Sequence, residues 1–247
     1  MDSKQLDKFY TNSDVAKLCA EVFSKYANEE IVEPSAGAGA FAPYVSIMLD
    51  LAPEADSIIE QDFLLWDSTK YKYYLGNPPF GKNSSLAKKF FNHAAKGKGV
   101  IGFILPRTFR KVSIQNALDL NFWVVEDHIL DTNSFTLDGK AYAVPCCFQV
   151  WEYREKARKK VVLPTTHADF KFVDKESCDF SIRRVGAKAG VVNSHNDFSA
   201  ASNYFIKGEV KEKFITCEIA FKEAASNVAG NPSLSKGELV KIYGEIL

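Results

Sequence analysis

Residues 30–39 read Glu30-Ile31-Val32-Glu33-Pro34-Ser35-Ala36-Gly37-Ala38-Gly39. A short apolar run that halts at a proline and a pair of glycines is a strand running into a tight turn. The same grammar repeats outward from it. The run 46–49 stops at Asp50, 57–59 leads into Glu60-Gln61-Asp62, 72–75 enters Gly76-Asn77-Pro78-Pro79-Phe80, and 100–105 stops at Pro106. Helical spacing of Val15, Leu18, Cys19, Val22, Phe23 and Tyr26 predicts an amphipathic helix over 13–27, with Asn12 or Ser13 placed to cap it. Further helices are expected over 84–96, over 107–118 and, briefly, after Gly39. Strands alternating with helices predict an α/β fold with a doubly wound sheet. Ligands in such sheets bind at the carboxyl ends of the strands, so polar residues there carry the functional question.

Two longer apolar runs, 122–130 and 142–151, are expected to pair antiparallel and close the sheet. After Trp151 the texture changes, and the charged stretch 152–160 reads as a boundary. Residues 1–152 are therefore expected to form one domain and 153–247 a small α+β C-terminal region. That region should hold strand-like pieces at 161–163, 169–173, 180–185, 190–192 and 203–206. Helices should follow over 209–225 and 235–247, split by Gly230-Asn231-Pro232. His195 and Trp151 read as packing or surface residues.

The 247 residues are 46% hydrophobic and 25% charged, which fits a globular chain with a real core and excludes a disordered or fibrous one. No apolar run approaches the ~18–20 residues that span a bilayer, so no membrane partner is expected. Five cysteines without a CxxC pair, and a polar N-terminus, lead to the expectation of a reducing intracellular compartment, cytoplasmic or other, and not secretion. Four dispersed histidines give no metal-ligand spacing. Net charge is zero, but residues 1–80 carry −7, residues 81–118 carry +8 with no acid at all, and the remainder −1. Such a block either makes an electropositive face for a polyanion or is plain solvated surface.

Three constellations carry chemistry. Glycines at 37 and 39 let the backbone approach a ligand closely, and Glu33 just before them can accept from an ammonium or hydroxyl. The loop has neither the phosphate-binding GxxxxGK[ST] pattern nor the GxGxxG fingerprint. Asp50 and Asp62 end successive strands, where an acid can meet ribose hydroxyls or an exocyclic amine, with Phe63 beside Asp62 to cover a purine face; a turn-capping role is the competing reading. In Asn77-Pro78-Pro79-Phe80 two consecutive prolines fix φ and remove donors, which makes a stiff extended loop. The loop displays the Asn77 amide oxygen and the Pro78 carbonyl as acceptors, and Phe80 offers a flat apolar face. A planar base bearing an amino group would fit both.

The series Glu33-Pro34-Ser35-Ala36-Gly37-Ala38-Gly39, then Leu49-Asp50-Leu51-Ala52-Pro53, then Gln61-Asp62-Phe63-Leu64, then Asn77-Pro78-Pro79-Phe80 resembles that of S-adenosylmethionine-dependent N6-adenine DNA methyltransferases. The segment Asp7-Lys8-Phe9-Tyr10-Thr11-Asn12 resembles their N-terminal cofactor motif, and the order of motifs is that of the gamma group. The resemblance covers residues 7 to about 152. It implies a Rossmann-like mixed sheet as catalytic domain. The C-terminal region lies outside it and is a candidate for nucleic-acid recognition, which its shortness makes simple or dependent on a partner.

By position, the resemblance implies that Tyr10 and Thr11 hold the methionine end of the cofactor, with Glu33, Pro34, Ser35, Gly37, Gly39 and Asn77 lining the same pocket. Asp50 would bind the ribose, and Asp62 with Phe63 the cofactor adenine. Asn77 and Pro78 would accept the target N6 hydrogens, with Pro79 stiffening the bend. Phe80 would stack on the base, and Phe135 would cover its other face. Of the basic block, Lys82, Arg107, Arg110 and Lys111 are candidates for phosphate contacts, whereas the lysines of helix 84–96 read as solvated surface. Arg183, Arg184 and Lys188 form a second candidate contact. DNA is expected over RNA, with a protein partner for target recognition as a further expectation. Three alternatives keep part of this reading: an RNA adenine-N6 or guanine-N2 methyltransferase, a protein-glutamine methyltransferase, and a non-catalytic nucleic-acid-binding subunit.

Overall fold

The computed structural model describes residues 10–131, 133–137, 140–194 and 199–246. Asp7, Lys8, Phe9 and His195 lie outside the described residues. The chain divides into two compact units, Met1–Lys160 and Val161–Leu247. No described helix is long and apolar enough to cross a membrane.

In the first unit β1 (Tyr10–Thr11) precedes α1 (Ser13–Phe23), β2 (Ile31–Glu33), β3 (Ile47–Asp50), β4 (Ile59–Glu60) and β5 (Tyr73–Gly76). Then come α2 (Ser85–Ala94), β6 (Val100–Pro106), the single turn α3 (Val112–Gln115), β7 (Phe122–Ile129), β8 (Phe135–Leu137), β9 (Lys140–Tyr142) and β10 (Cys146–Tyr153). Seven strands form one sheet in the order β4-β3-β2-β5-β6-β10-β7. The pairs from β4 through β6 are parallel, and β10 runs antiparallel to both β6 and β7. This is a doubly wound, Rossmann-like mixed sheet. The order reverses between β2 and β5, so the switch-point crevice opens where Glu33 and Gly76 end their strands.

The core follows from the sequence pattern. Ala16, Cys19, Ala20 and Phe23 recur on one face of α1 and are all buried. Every residue of β6 is buried, as a central strand of a doubly wound sheet requires. Gly102 in that strand leaves room for Phe23, because a Cβ there would stand 2.5 Å from the Phe23 ring. Phe91 meets Phe122 and Trp151 edge-on at 5.7 and 5.3 Å between ring centres.

Several expected elements differ. Helix α1 ends at Phe23, and the Asn12 side chain does not cap it but donates to the Asn133 carbonyl at 2.7 Å. The short helix expected after Gly39 is a turn, in which Gly37 and Gly39 take positive φ, running into a single 3-10 turn at Ala42–Tyr44 with Pro43 at its start. The helix expected over 107–118 is a 3-10 turn at Arg107–Arg110 and the one turn α3. Lys111 between them is extended (φ −79°, ψ 136°), and Thr108, Val112 and Ile114 are weak helix formers. The run 142–151 is interrupted at Pro145, so β10 starts at Cys146, while β8 and β9 form a separate three-stranded sheet with β1. The charged stretch after Tyr153 packs within the first unit: Arg158 donates to the carbonyls of Phe122 and Gln115.

The second unit has β11 (Lys171–Phe172), β12 (Phe180–Arg183), β13 (Val192–Asn193) and β14 (Asn203–Lys207), in sheet order β11-β14-β12-β13. Helices α4 (Lys211–Thr216), α5 (Glu218–Ser226) and α6 (Lys236–Glu245) share its core of Phe170, Phe180, Phe214 and Tyr243. Residues 161–163 are not a strand; Leu163 instead packs on Gly237, and Val162 is exposed. The helix expected over 209–225 breaks at Cys217 into α4 and α5.

Candidate active site

At the switch point, the β2–β3 turn and the bend after β5 face one another. The glycine turn is closed by Gly39 N–H donating to Ala36 O at 2.8 Å, and φ of +54° at Gly37 and +81° at Gly39 shows why glycine is needed there. Gly37 N–H donates to Asp50 Oδ2 at 2.8 Å and Ala52 N–H to Oδ1 at 2.9 Å. Asp50 therefore ties the glycine turn to the end of β3. A carboxylate has about four lone-pair sites, so each oxygen retains capacity for another donor.

The bend is held to the turn directly: Ser35 Oγ donates to the Asn77 carbonyl at 3.1 Å. Asn77 Nδ2 donates to Thr11 Oγ1 at 3.2 Å, which turns the other end of the amide, Oδ1, away from Thr11. Thr11 is itself placed by pairing of β1 with β8, Thr11 opposite Phe135 and Tyr10 opposite Thr136. Tyr10 crosses above the turn, its ring 3.8 Å from where a Cβ on Gly37 would be, and its hydroxyl donates to Glu54 Oε1 at 2.7 Å. These pieces enclose a cavity of about 220 Å³, whose lining includes Tyr10, Thr11, Glu33, Ser35, Gly37 and Asn77.

Glu33 is the electrostatic oddity of this cavity. It is 2% exposed, and among the described residues Oε2 has no hydrogen-bond partner. Burial, with the nearby Asp50 charge second, pushes its carboxyl well above the usual range. Gly76 permits the arrangement, since a Cβ there would stand 3.2 Å from Glu33 Cγ. A buried acceptor with no partner among the described residues, in a cavity lined by small residues and the rings of Tyr10 and Phe41, fits the ammonium and sulfonium groups of a methionine-like ligand.

The structure does not gather every residue singled out from sequence. Pro34 is buried, and Gly39, Asp50 and Asp62 lie outside the cavity lining. Asp62 Oδ1 accepts from Leu64 N–H at 2.8 Å, capping a 3-10 turn. Phe63, expected to cover a purine, is 1% exposed and packs on Tyr74, Phe90 and His93; the strand end turns its ring into the core. Phe80 is 7% exposed and Phe135 fully buried, so the stacking faces expected of both are occupied by core packing. Pro78 is buried beside the half-buried Pro79.

Two expected phosphate contacts are engaged elsewhere. Arg107 donates to the carbonyls of Cys146 and Leu130 at 3.4 and 3.3 Å, and Arg110 is paired with Asp127 at 2.8 Å. Lys82 is exposed and Lys111 half-buried. In the second unit Arg183 donates to the Val185 carbonyl, Arg184 lies 5.1 Å from the centre of the Tyr204 ring, and Lys188 is exposed. The reading from sequence missed Glu54, Ser13 and Phe41 at the site. Only Phe41 carried a signal, as the first large apolar residue after the glycines.

The sequence matches no protein-family model and no curated protein. Among solved structures, the chain is similar to a modification subunit ascribed to a type I restriction enzyme from Vibrio vulnificus YJ016, at 16% identity over 59% of this chain and 44% of that one, TM-score 0.46. It is similar to TrmN from Thermus thermophilus at 14% identity over 57% and 49%, TM-score 0.43. A tRNA methyltransferase from M. jannaschii gives 18% identity over 60% and 52%, TM-score 0.41. The chain thus spans less than half the length of the first two. The fold assignment rests on the strand order of the chain itself.

Proposed function

We propose that this chain transfers a methyl group from S-adenosylmethionine to the N6 amino group of adenine in DNA. The observation that carries the reading is the meeting of the glycine turn and the Asn77-Pro78 bend: Ser35 Oγ touches the Asn77 carbonyl at 3.1 Å, and both residues line one cavity with Glu33. When bound, the cofactor supplies an electrophilic methyl on a sulfonium. Glu33, Ser35 and Gly37 would hold its methionine end, with Tyr10 and Thr11 above, and Asp50 would take the ribose hydroxyls on lone pairs left over from the backbone bonds. The motif order favours DNA over RNA.

An adenine N6 lone pair is delocalised into the ring and attacks poorly. Asn77 Oδ1 and the Pro78 carbonyl, accepting both N6 hydrogens, favour a pyramidal nitrogen and localise that pair. Two fixed dipoles would then stabilise the positive charge that grows on N6 as it takes the methyl and the sulfur becomes a neutral thioether; the stiff bend holds the dipoles in place, and the N6 proton, made acidic by the transfer, leaves to solvent afterwards. A base in a duplex must be flipped out to reach them, at a cost of a few kcal/mol. The burial of Phe80 means that stacking on the base requires the residues after the bend to shift.

The reading predicts that Asn77→Ala lowers turnover by at least ~10²-fold, the scale of losing one preorganised transition-state partner. Cofactor affinity, measured by calorimetry, should stay within a few-fold. Retained turnover in that variant overturns the role given to the bend.

A further inference from the structure

The lysines of the 84–96 helix read from sequence as ordinary solvated surface, yet α2 forms one wall of an open groove of about 610 Å³ lined by Ser85, Lys88, Lys89, Asn92, His93 and Lys96 among others. We infer that this groove is a track for the phosphodiester backbone of the polynucleotide substrate. The inference rests on the reading proposed above and adds where the strand runs.

Four observations carry it. First, the groove carries three lysines in a 38-residue stretch, 81–118, with no acidic residue, and among the described residues Lys88, Lys89 and Lys96 have no carboxylate within ion-pair distance. Second, Lys96 is held rather than left to wave. The buried His93 has Nε2 at 2.8 Å from the Trp66 carbonyl, which demands the proton on that nitrogen, so Nδ1 is left to accept from Lys96 Nζ at 3.1 Å. Burial lowers the pKa of His93, which keeps the ring neutral and able to accept. Third, Asn92 fixes the opposite wall, donating to Ala117 O at 3.1 Å and accepting from Asp119 N–H at 2.8 Å. Fourth, the groove is in register with the bend: the Phe80 carbonyl accepts from Leu86 and Ala87 N–H at 3.1 and 3.2 Å, so the start of α2 is bonded to the Asn-Pro-Pro-Phe segment itself.

The dimensions suit a strand of phosphates. From Lys88 to Lys96 the chain rises about 12 Å at ~1.5 Å per residue. That spans roughly three phosphates of one strand. Arginines 107 and 110, by contrast, are committed to internal carbonyls and to Asp127. The lysines read as a positioning surface that carries affinity and no sequence information.

The test compares the full chain with a Lys88→Gln, Lys89→Gln, Lys96→Gln variant. A control, Lys17→Gln, Lys25→Gln, Lys70→Gln, loses the same charge at lysines already paired with Glu21, Glu126 and Asp67. Binding of fluorescent single-stranded DNA, duplex DNA and RNA oligonucleotides is titrated across salt concentrations, and S-adenosylmethionine binding is measured alongside. The groove variant should bind its oligonucleotide about tenfold or more weakly, with a salt slope shallower by ~2 for a single strand or somewhat more for a duplex, and cofactor binding unchanged. The control should match the parent, and the oligonucleotide showing the loss identifies the strand carried. A groove variant equal to the parent, or a control that loses as much, overturns the groove. A parent that binds no oligonucleotide in any arm overturns the proposed function itself.

Discussion

Glu33 concentrates the chemistry of the site in one carboxyl. Folding buries it beside Asp50 and leaves Oε2 without a partner. Such a group is a burden on the cofactor-free protein and an asset once a cation arrives. The sign of its pH dependence follows. Below the usual carboxylate range Glu33 is protonated folded and unfolded, and costs little. As pH rises, the unfolded chain ionises it freely while the fold resists, so the parent loses stability up to its raised folded value. Glu33→Gln should therefore raise the thermal midpoint of the cofactor-free protein, by a margin that grows as pH rises above the ordinary carboxylate range. A margin that stays flat with pH would show that the carboxyl is not held neutral. Glu33, Gly37 and Asn77 were legible in sequence because each sits at the end of an apolar run. Contacts such as Tyr10 with Glu54 and Asn77 with Thr11 were not, since they join residues 44 and 66 positions apart.

The elements show where local pattern wins and where packing overrides it. Strands β2, β3, β5 and β6 stand within a residue or so of the apolar runs that announce them, because a buried parallel strand is read from hydrophobicity alone. The helix over 107–118 was overread where apolar spacing continued past extended Lys111 ahead of α3, whereas α4 and α5 fill the span expected over 209–225 with a one-residue break at Cys217. Phe63 and Phe135 misled for a related reason. An aromatic beside a site motif has the same signature as an aromatic plugging the core beneath it, and burial decides between them. Gly102 in β6 tests the packing account. A methyl there would meet the Phe23 ring at 2.5 Å and Phe148 at 3.2 Å, so Gly102→Ala should cost about 1–3 kcal/mol by overpacking, read as a lower midpoint in denaturant unfolding. An unchanged midpoint would mean that α1 does not lie flat on the sheet.

Across the whole chain, charge is segregated although it sums to zero. The acid-rich first 80 residues supply Glu33, Asp50 and the cavity proposed for a cationic cofactor, and the acid-free block from 81 to 118 supplies α2. The sequence shows that block plainly, but it cannot tell which cations are already spent. Arg107 and Arg110 prove to be structural, bonded to carbonyls and to Asp127, while the α2 lysines remain open. The central claim is methyl transfer to adenine N6. Incubation of the chain with S-adenosylmethionine labelled on its methyl group and with matched DNA and RNA pools, followed by nucleoside analysis, tests it directly. Label in N6-methyladenine from the DNA pool is the predicted result; label on guanine, on protein or on RNA alone, or transfer to no acceptor at all, would contradict it.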